Sequence, residues 1–169
     1  MLGATTPGGA GAAAGGLGTL SFFARPPAMG DEEGQWAAVP YMYGERTRRR
    51  HAARIGEDIA RRLGTTSSLA THVQQLGAAG AHSTAGRLRE IAAPTLVVHG
   101  ADDIVVPAAD ARRLAEEIPG ARLRLWRGAG HFYVTDEPRA DRDVARFLVA
   151  HSAEHGRLRR LLARARRQM

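Results

Sequence analysis

A chain of 169 residues, 44% hydrophobic and 24% charged, fits one globular domain, and 5% aromatics implies a core built mostly of Leu, Val, Ile and Ala. Cysteine is absent, which excludes disulfides, thiolate catalysis and Cys-bearing zinc sites. The net charge of +7 is lopsided: residues 151–169 hold six Arg and one Glu, which is +5, so only +2 remains for residues 1–150. All 24 basic residues are Arg and they do not interleave with aromatics, which argues against nucleic-acid binding.

No apolar stretch reaches the ~18 residues of a membrane span, and the opening MLGATTPGGAGAAAGGLG has neither the basic nor the apolar region of a secretory signal. A soluble, cytoplasmic protein is therefore predicted. Residues 2–6 read as the end of a strand that runs into a turn at Pro7, Gly8 and Gly9, its beginning missing, and residues 8–18 as a Gly/Ala-rich linker. Residues 20–43 carry Phe22, Phe23, Trp36, Tyr41 and Tyr43, broken by Pro26, Pro27, Gly30 and Pro40, so short helical turns are expected there.

Residues 45–63 place Ile55, Ile59 and Leu63 at i, i+4, i+8 among charges, the pattern of one amphipathic helix with Gly64 as its C-cap. Residues 67–79 put Leu69, Val73 and Leu76 on one stripe of a second helix that Gly77 and Gly80 weaken at its end. A short turn or helix over 84–90 follows. The run Thr95-Leu96-Val97-Val98-His99, bounded by Pro94 and Gly100, reads as a strand buried on both faces in a parallel sheet. Residues 108–118 repeat Ala111, Leu114, Ala115 and Ile118 at helical spacing, residues 123–126 form another strand, and residues 138–150 form a helix burying Val144, Phe147 and Leu148. Strand, helix and strand in that order make a βαβ unit.

Asp103 lies on the loop after the first of these strands and His131 on the loop after the second, so both project from the carboxyl edge of one sheet, where open α/β sheets place their ligands. A carboxylate there can hold an imidazole in one tautomer and stabilise its protonated form, which makes the histidine a general base for a hydroxyl nucleophile. Gly100, Gly128 and Gly130 allow tight backbone paths beside the pair. Each residue also has a plainer role, Asp103 in an Asx turn or as a helix cap between strand and helix, and His131 as a buried loop histidine.

The segments PTLVVHGADDIVVP and GAGHFY resemble the strand-7 and strand-8 loops of the α/β-hydrolase family, which places the triad acid at Asp103 and the base at His131. By that resemblance the chain has an α/β fold, the C-terminal part of the α/β-hydrolase fold: a short parallel sheet with flanking helices plus a helical cap. Residues 1–19 are then the end of a core strand and a linker, 20–90 the cap, 91–150 the C-terminal part of the core, and 151–169 a basic helical tail. The family's G-x-S-x-G nucleophile elbow does not occur in these residues; it belongs before strand 6, upstream of Met1.

The implied activity is hydrolysis of an ester, lactone or related bond in a small-molecule acyl substrate, with Phe22, Phe23, Trp36 and Tyr41 lining the acyl or alcohol pocket and no cofactor or metal. Ser83, beside His82 in GAHSTAG, superficially imitates an elbow, but no strand precedes it. His72 and His82 read as partly exposed cap residues, and His99 as hydrogen-bonded rather than metal-binding. Without strands 1–5 the sheet would expose a hydrophobic edge and uncover the faces of strand 7, which predicts dimerisation through that edge. The alternative is an inactive, hydrolase-like module that binds a partner or a membrane surface. Leu158, Leu161, Leu162 and Ala165 would place the tail weakly on an anionic surface, or the tail is simply a solvated terminal helix.

Overall fold

The computed structural model describes residues 1–9, 12, 21, 32–63, 69–84 and 86–152. Phe22, Phe23, Gly64 and residues 153–169 of the basic tail lie outside them. Three strands, β1 (Leu2–Gly3), β2 (Leu96–Gly100) and β3 (Arg122–Trp126), form a parallel sheet in the order β1-β2-β3. Leu2 stands opposite Val97, and β2 pairs with β3 from Leu96 opposite Arg122 to Gly100 opposite Trp126. The helices are α1 (Glu32–Met42), α2 (Glu45–Arg50), α3 (Ala52–Arg62), α4 (Leu69–Ala81), α5 (Ala108–Glu117), α6 (Tyr133–Asp136) and α7 (Ala140–His151), with a 3-10 turn over Leu88–Glu90.

β2 is the centre of the structure, because every one of its residues is buried. Leu96 and Val98 point to one face and pack with Trp126, Tyr133, Ala140 and Phe147 from β3, α6 and α7. Val97 points to the other face and packs with Leu88, Ala111, Leu114 and Ile118, from the 3-10 turn, α5 and its C-cap. Alternation along a strand with both faces covered is the reason the segment is apolar throughout. The expectation that strand 7 would be left uncovered is therefore wrong: helices of this same chain close both of its faces. β1 has no strand on its other edge among the described residues.

Five further features depart from the sequence reading. The helix expected over 45–63 is two helices that break at His51, whose φ of −133° is not helical. The bend lets Thr47 of α2 and Ile55 and Ile59 of α3 be buried together, with both helices touching α6. Conversely, α1 runs on through Pro40, which is exposed while Ala38 and Met42 on either side of it are buried. A proline placed on the solvent side gives up its hydrogen bond where water can replace it. α4 continues through Gly77 and Gly80 to Ala81, and its Val73 and Leu76 are 58% and 40% exposed, so that stripe does not join the described core. In α7, Phe147 is buried and Leu148 is 51% exposed, one residue off the Ala140-Val144-Phe147 stripe that faces the sheet. The strand expected over 2–6 is only Leu2–Gly3, since Ala4 turns the chain with a φ of 45°. No helix among the described residues is long and apolar enough to cross a membrane.

The second cluster seats α1 and α3 above the carboxyl end of the sheet. Ala38, Met42, Tyr43, Ile55 and Ile59 pack together and receive Val105 from the loop after β2 and Phe132 from the loop after β3. The helical segment 32–62 thus rests on the two loops that carry Asp103 and His131.

Candidate active site

Asp103 and His131 meet. The Asp103 Oδ2 atom accepts a hydrogen bond from His131 Nδ1 at 2.9 Å. Its side chain is fully buried, while that of His131 is 20% exposed. Asp103 Oδ1 accepts the backbone N–H groups of Val105 and Val106 at 2.8 and 2.9 Å, an Asx turn in the sense of the plainer reading. The two roles are complementary, since the turn fixes one oxygen and leaves the other aimed at the imidazole.

A second histidine shares that oxygen. His99, fully buried at the end of β2, points Nε2 at Val106 O at 2.8 Å and at Asp103 Oδ2 at 3.2 Å. Both partners are acceptors, so Nε2 carries the proton. Its Nδ1 has no partner among the described residues. Burial alone would push the Asp103 carboxyl up, but the hydrogen bonds from His131 and His99 and the Val106 N–H outweigh it and hold the group far below the usual carboxylate range. Burial acts on His99 in the opposite sense to its bonds to Asp103 and Val106, and the bonds prevail, raising its pKa. Asp103 is thus an anion wherever the fold is intact near neutrality.

Because His131 Nδ1 keeps its proton and donates it in the hydrogen bond to Asp103, Nε2 is left with its lone pair, and it has no hydrogen-bond partner among the described residues. The ring is thereby set to accept a proton at Nε2. The two loops reach this register through glycine: a Cβ at Gly100 would overlap the carbonyl oxygens of Ala129 and Gly130. Asp102 N–H bonds Ala129 O at 2.9 Å, which ties the acid loop to the base loop.

Groups distant in sequence pack around Phe132, the residue next to His131. Tyr43 meets the Phe132 ring edge-on at a centroid distance of 5.3 Å, and the Arg62 guanidinium lies 4.6 Å over the same ring. Arg62 also donates to Tyr43 Oη at 3.0 Å, and Tyr43 Oη donates to Asp58 Oδ2 at 3.4 Å. Burial raises the Tyr43 phenol in spite of Arg62, so Tyr43 is a neutral donor. Nothing in the local pattern singles out these residues, because each depends on a partner distant in sequence.

Of the other candidates, Trp36 is 43% exposed with its Nε1 donating to Glu32 Oε1 at 3.3 Å, and Tyr41 is half-buried on α1. Neither belongs to the cluster that packs on Phe132. Ser83 and His82 are exposed, and Ser83 forms an isolated antiparallel bridge with Gly8, away from any strand that could present a nucleophile.

The family model for TAP-like proteins of the α/β-hydrolase class matches residues 56–157. The chain belongs to the α/β-hydrolase family. It is 42% identical to the non-heme chloroperoxidase CPO-A1 of Kitasatospora aureofaciens over 65 residues, which is 36% of this chain and 24% of that protein. Among solved structures it is similar to Rv0554 from Mycobacterium tuberculosis, with a TM-score of 0.65 and 24% identity, over 90% of this chain and 56% of that one. A thermophilic esterase from Thermogutta terrifontis superposes with a TM-score of 0.61 and 22% identity, over 79% of this chain and 48% of the esterase. At these identities the structural matches establish the fold. The chain spans about a quarter of the chloroperoxidase and roughly half of the two solved structures.

Proposed function

We propose that these residues form the acid and base of a serine-type hydrolase that cleaves an ester, lactone or related acyl bond, its nucleophile supplied by a G-x-S-x-G segment outside the 169 residues. The observation that carries this reading is the 2.9 Å bond from His131 Nδ1 to a buried Asp103 carboxylate, which leaves Nε2 available at the carboxyl end of the sheet. In the proposed cycle a serine hydroxyl gives its proton to His131 Nε2 as its oxygen attacks the substrate carbonyl. The imidazolium returns that proton to the departing alcohol, leaving an acyl-enzyme. Water then attacks the acyl-enzyme, giving a proton to Nε2, and the imidazolium returns that proton to the serine oxygen as its bond to the acyl group breaks and the acid product leaves. Asp103 stays ionised throughout and stabilises the imidazolium. The chain's kinship with hydrolases and its fold support this reading, and the choice between ester and lactone is left to assay.

The test has two stages. The coding sequence in frame with and upstream of the Met1 codon is read for strands ending in G-x-S-x-G, and the whole product is then assayed on p-nitrophenyl esters and acyl lactones and labelled with a fluorophosphonate. Label on the elbow serine, with a rate that falls ~10³-fold or more in His131→Ala, is the expected result. A His131→Ala protein that turns over at the original rate would overturn the assignment of the base.

A further inference from the structure

Asp136 is a buried carboxylate that the hydrolytic cycle does not use. It is 2% exposed at the end of α6, and its Oδ2 accepts two backbone N–H groups, from Gly130 at 2.7 Å and from Gly44 at 2.8 Å. Gly130 directly precedes His131. Gly44 closes the α1–α2 connection, 92 residues away in sequence. Asp136 Oδ1 has no partner among the described residues, so the whole hydrogen-bonding capacity in use falls on this one bridge. Burying a carboxylate costs several kcal/mol unless its bonds offset it, and charge-assisted bonds from two N–H groups are about the least that can do so. A carboxyl group buried at that cost on two short bonds is a positional device.

The surroundings make the same junction tight. Phe132 N–H bonds Met42 O at 2.8 Å, and Arg46 Nη2 reaches Asp136 O at 3.4 Å. A Cβ at Gly44 would run into the Gly128 carbonyl, although its φ of −64° is one that alanine adopts freely, so contact with the base loop is the only obstacle there. The end of α1 and the loop Gly128–Phe132 are therefore pressed together on glycine backbone, with the Asp136 carboxylate between them.

We propose that Asp136 is a positioning residue that clasps the helical segment 32–62 to the loop bearing His131, so that seating of that segment sets the ring of the base. It acts through the Gly130 backbone and touches no reacting atom. The inference rests on reading His131 as the base, but its readout needs no turnover.

The experiment is proton–nitrogen NMR of the 169-residue chain with 15N-labelled histidine. The ring N–H that His131 shares with Asp103 is followed by its exchange with water, and the buried His99 Nε2–H serves as internal control in the same spectrum. Asp136→Ala and Gly44→Ala should each speed exchange of the His131 ring proton by about tenfold, the effect of one lost hydrogen bond of ordinary strength, with the His99 signal unchanged. Asp136→Asn should keep the slow rate, because its single amide oxygen can accept both N–H groups as Oδ2 does now. If Asp136→Ala fails to fold, the contrast between Gly44→Ala and Asp136→Asn decides alone. A His131 signal unmoved by Gly44→Ala overturns the clasp. Asp103→Asn separates the two ideas: if it leaves the His131 signal in place the acid–base pair itself is wrong, whereas if it removes the signal while the clasp variants do not, only the clasp is wrong.

Discussion

Replacing Asp103 with Asn exchanges a buried anion for a neutral amide of the same shape. Four donors converge on the carboxylate: His131 Nδ1 and His99 Nε2 on Oδ2, at 2.9 and 3.2 Å, and the N–H groups of Val105 and Val106 on Oδ1. The asparagine oxygen can keep the two backbone bonds, which turns its NH2 group toward both imidazoles. His131 then has to present Nδ1 as an acceptor, so its proton moves to Nε2 and the ring is no longer set as a base. His99 Nε2–H is left facing a donor, with only Val106 O as acceptor. Two bonds to a charged group are lost at about 1.5–3 kcal/mol each, partly offset because a buried anion no longer has to be desolvated, for a net loss of about 3 kcal/mol. With an m-value of about 2 kcal/mol/M, the urea midpoint at pH 7 should fall by about 1.5 M.

The pH dependence gives a sharper check. Asp103 is depressed in the folded state, so its contribution to stability is complete above the unfolded carboxyl value of about 4 and is lost as pH falls through the folded value. Wild-type stability should therefore decline below about pH 4, with a shallower decline in Asp103→Asn. His99 is raised, so its contribution is complete below about pH 6.5 and is lost as pH rises through the folded value. That second limb should also become shallower in the variant, because the hydrogen bond to Asp103 is the largest of the interactions that raise His99. Urea melts at half-unit intervals from pH 3 to 9 would show both limbs. Equal midpoints at pH 7, or parallel acid limbs, would refute the electrostatic account of the pair.

Two further outcomes follow from packing and charge. Phe147→Ala should cost about 3–5 kcal/mol because its ring fills the cluster with Leu96, Val98 and Trp126, while Leu148→Ala next to it should stay within about 0.5 kcal/mol, both read by urea denaturation. Arg139 bonds Glu137 through two guanidinium nitrogens at 2.8 Å, and these bonds hold the Glu137 carboxyl down to about 2. In Arg139→Ala the Glu137 carboxyl should titrate near the ordinary glutamate range by carbon-detected NMR, and an unmoved midpoint would assign the depression to another group.

Much of the arrangement around Asp103 and His131 is legible in the residue order because it depends on short-range rules. The β-branched run before His99 can only be a strand with both faces covered, and the Ala111-Leu114-Ile118 spacing can only be a helix laid on it, so Asp103 and His131 fall on successive loops at one edge. That the two side chains touch follows only from the placement of the loops, since contact requires the Gly100 backbone to pass against Ala129 and Gly130. The break at His51, the continuation of α1 through Pro40 and the exposure of Leu148 all defeat periodicity for one reason: which face a helix buries is set by what stands opposite it. The Asp136 bridge is the extreme case. Its donors come from Gly130 beside it and from Gly44 on the far side of the chain, and an aspartate followed by Glu137 and Pro138 looks in sequence like any surface turn. Local propensity and spacing determined where Asp103 and His131 would stand; only tertiary packing, which brings distant backbone donors onto the buried Asp136 carboxyl group, decided how the loop before His131 is tied to the α1–α2 connection.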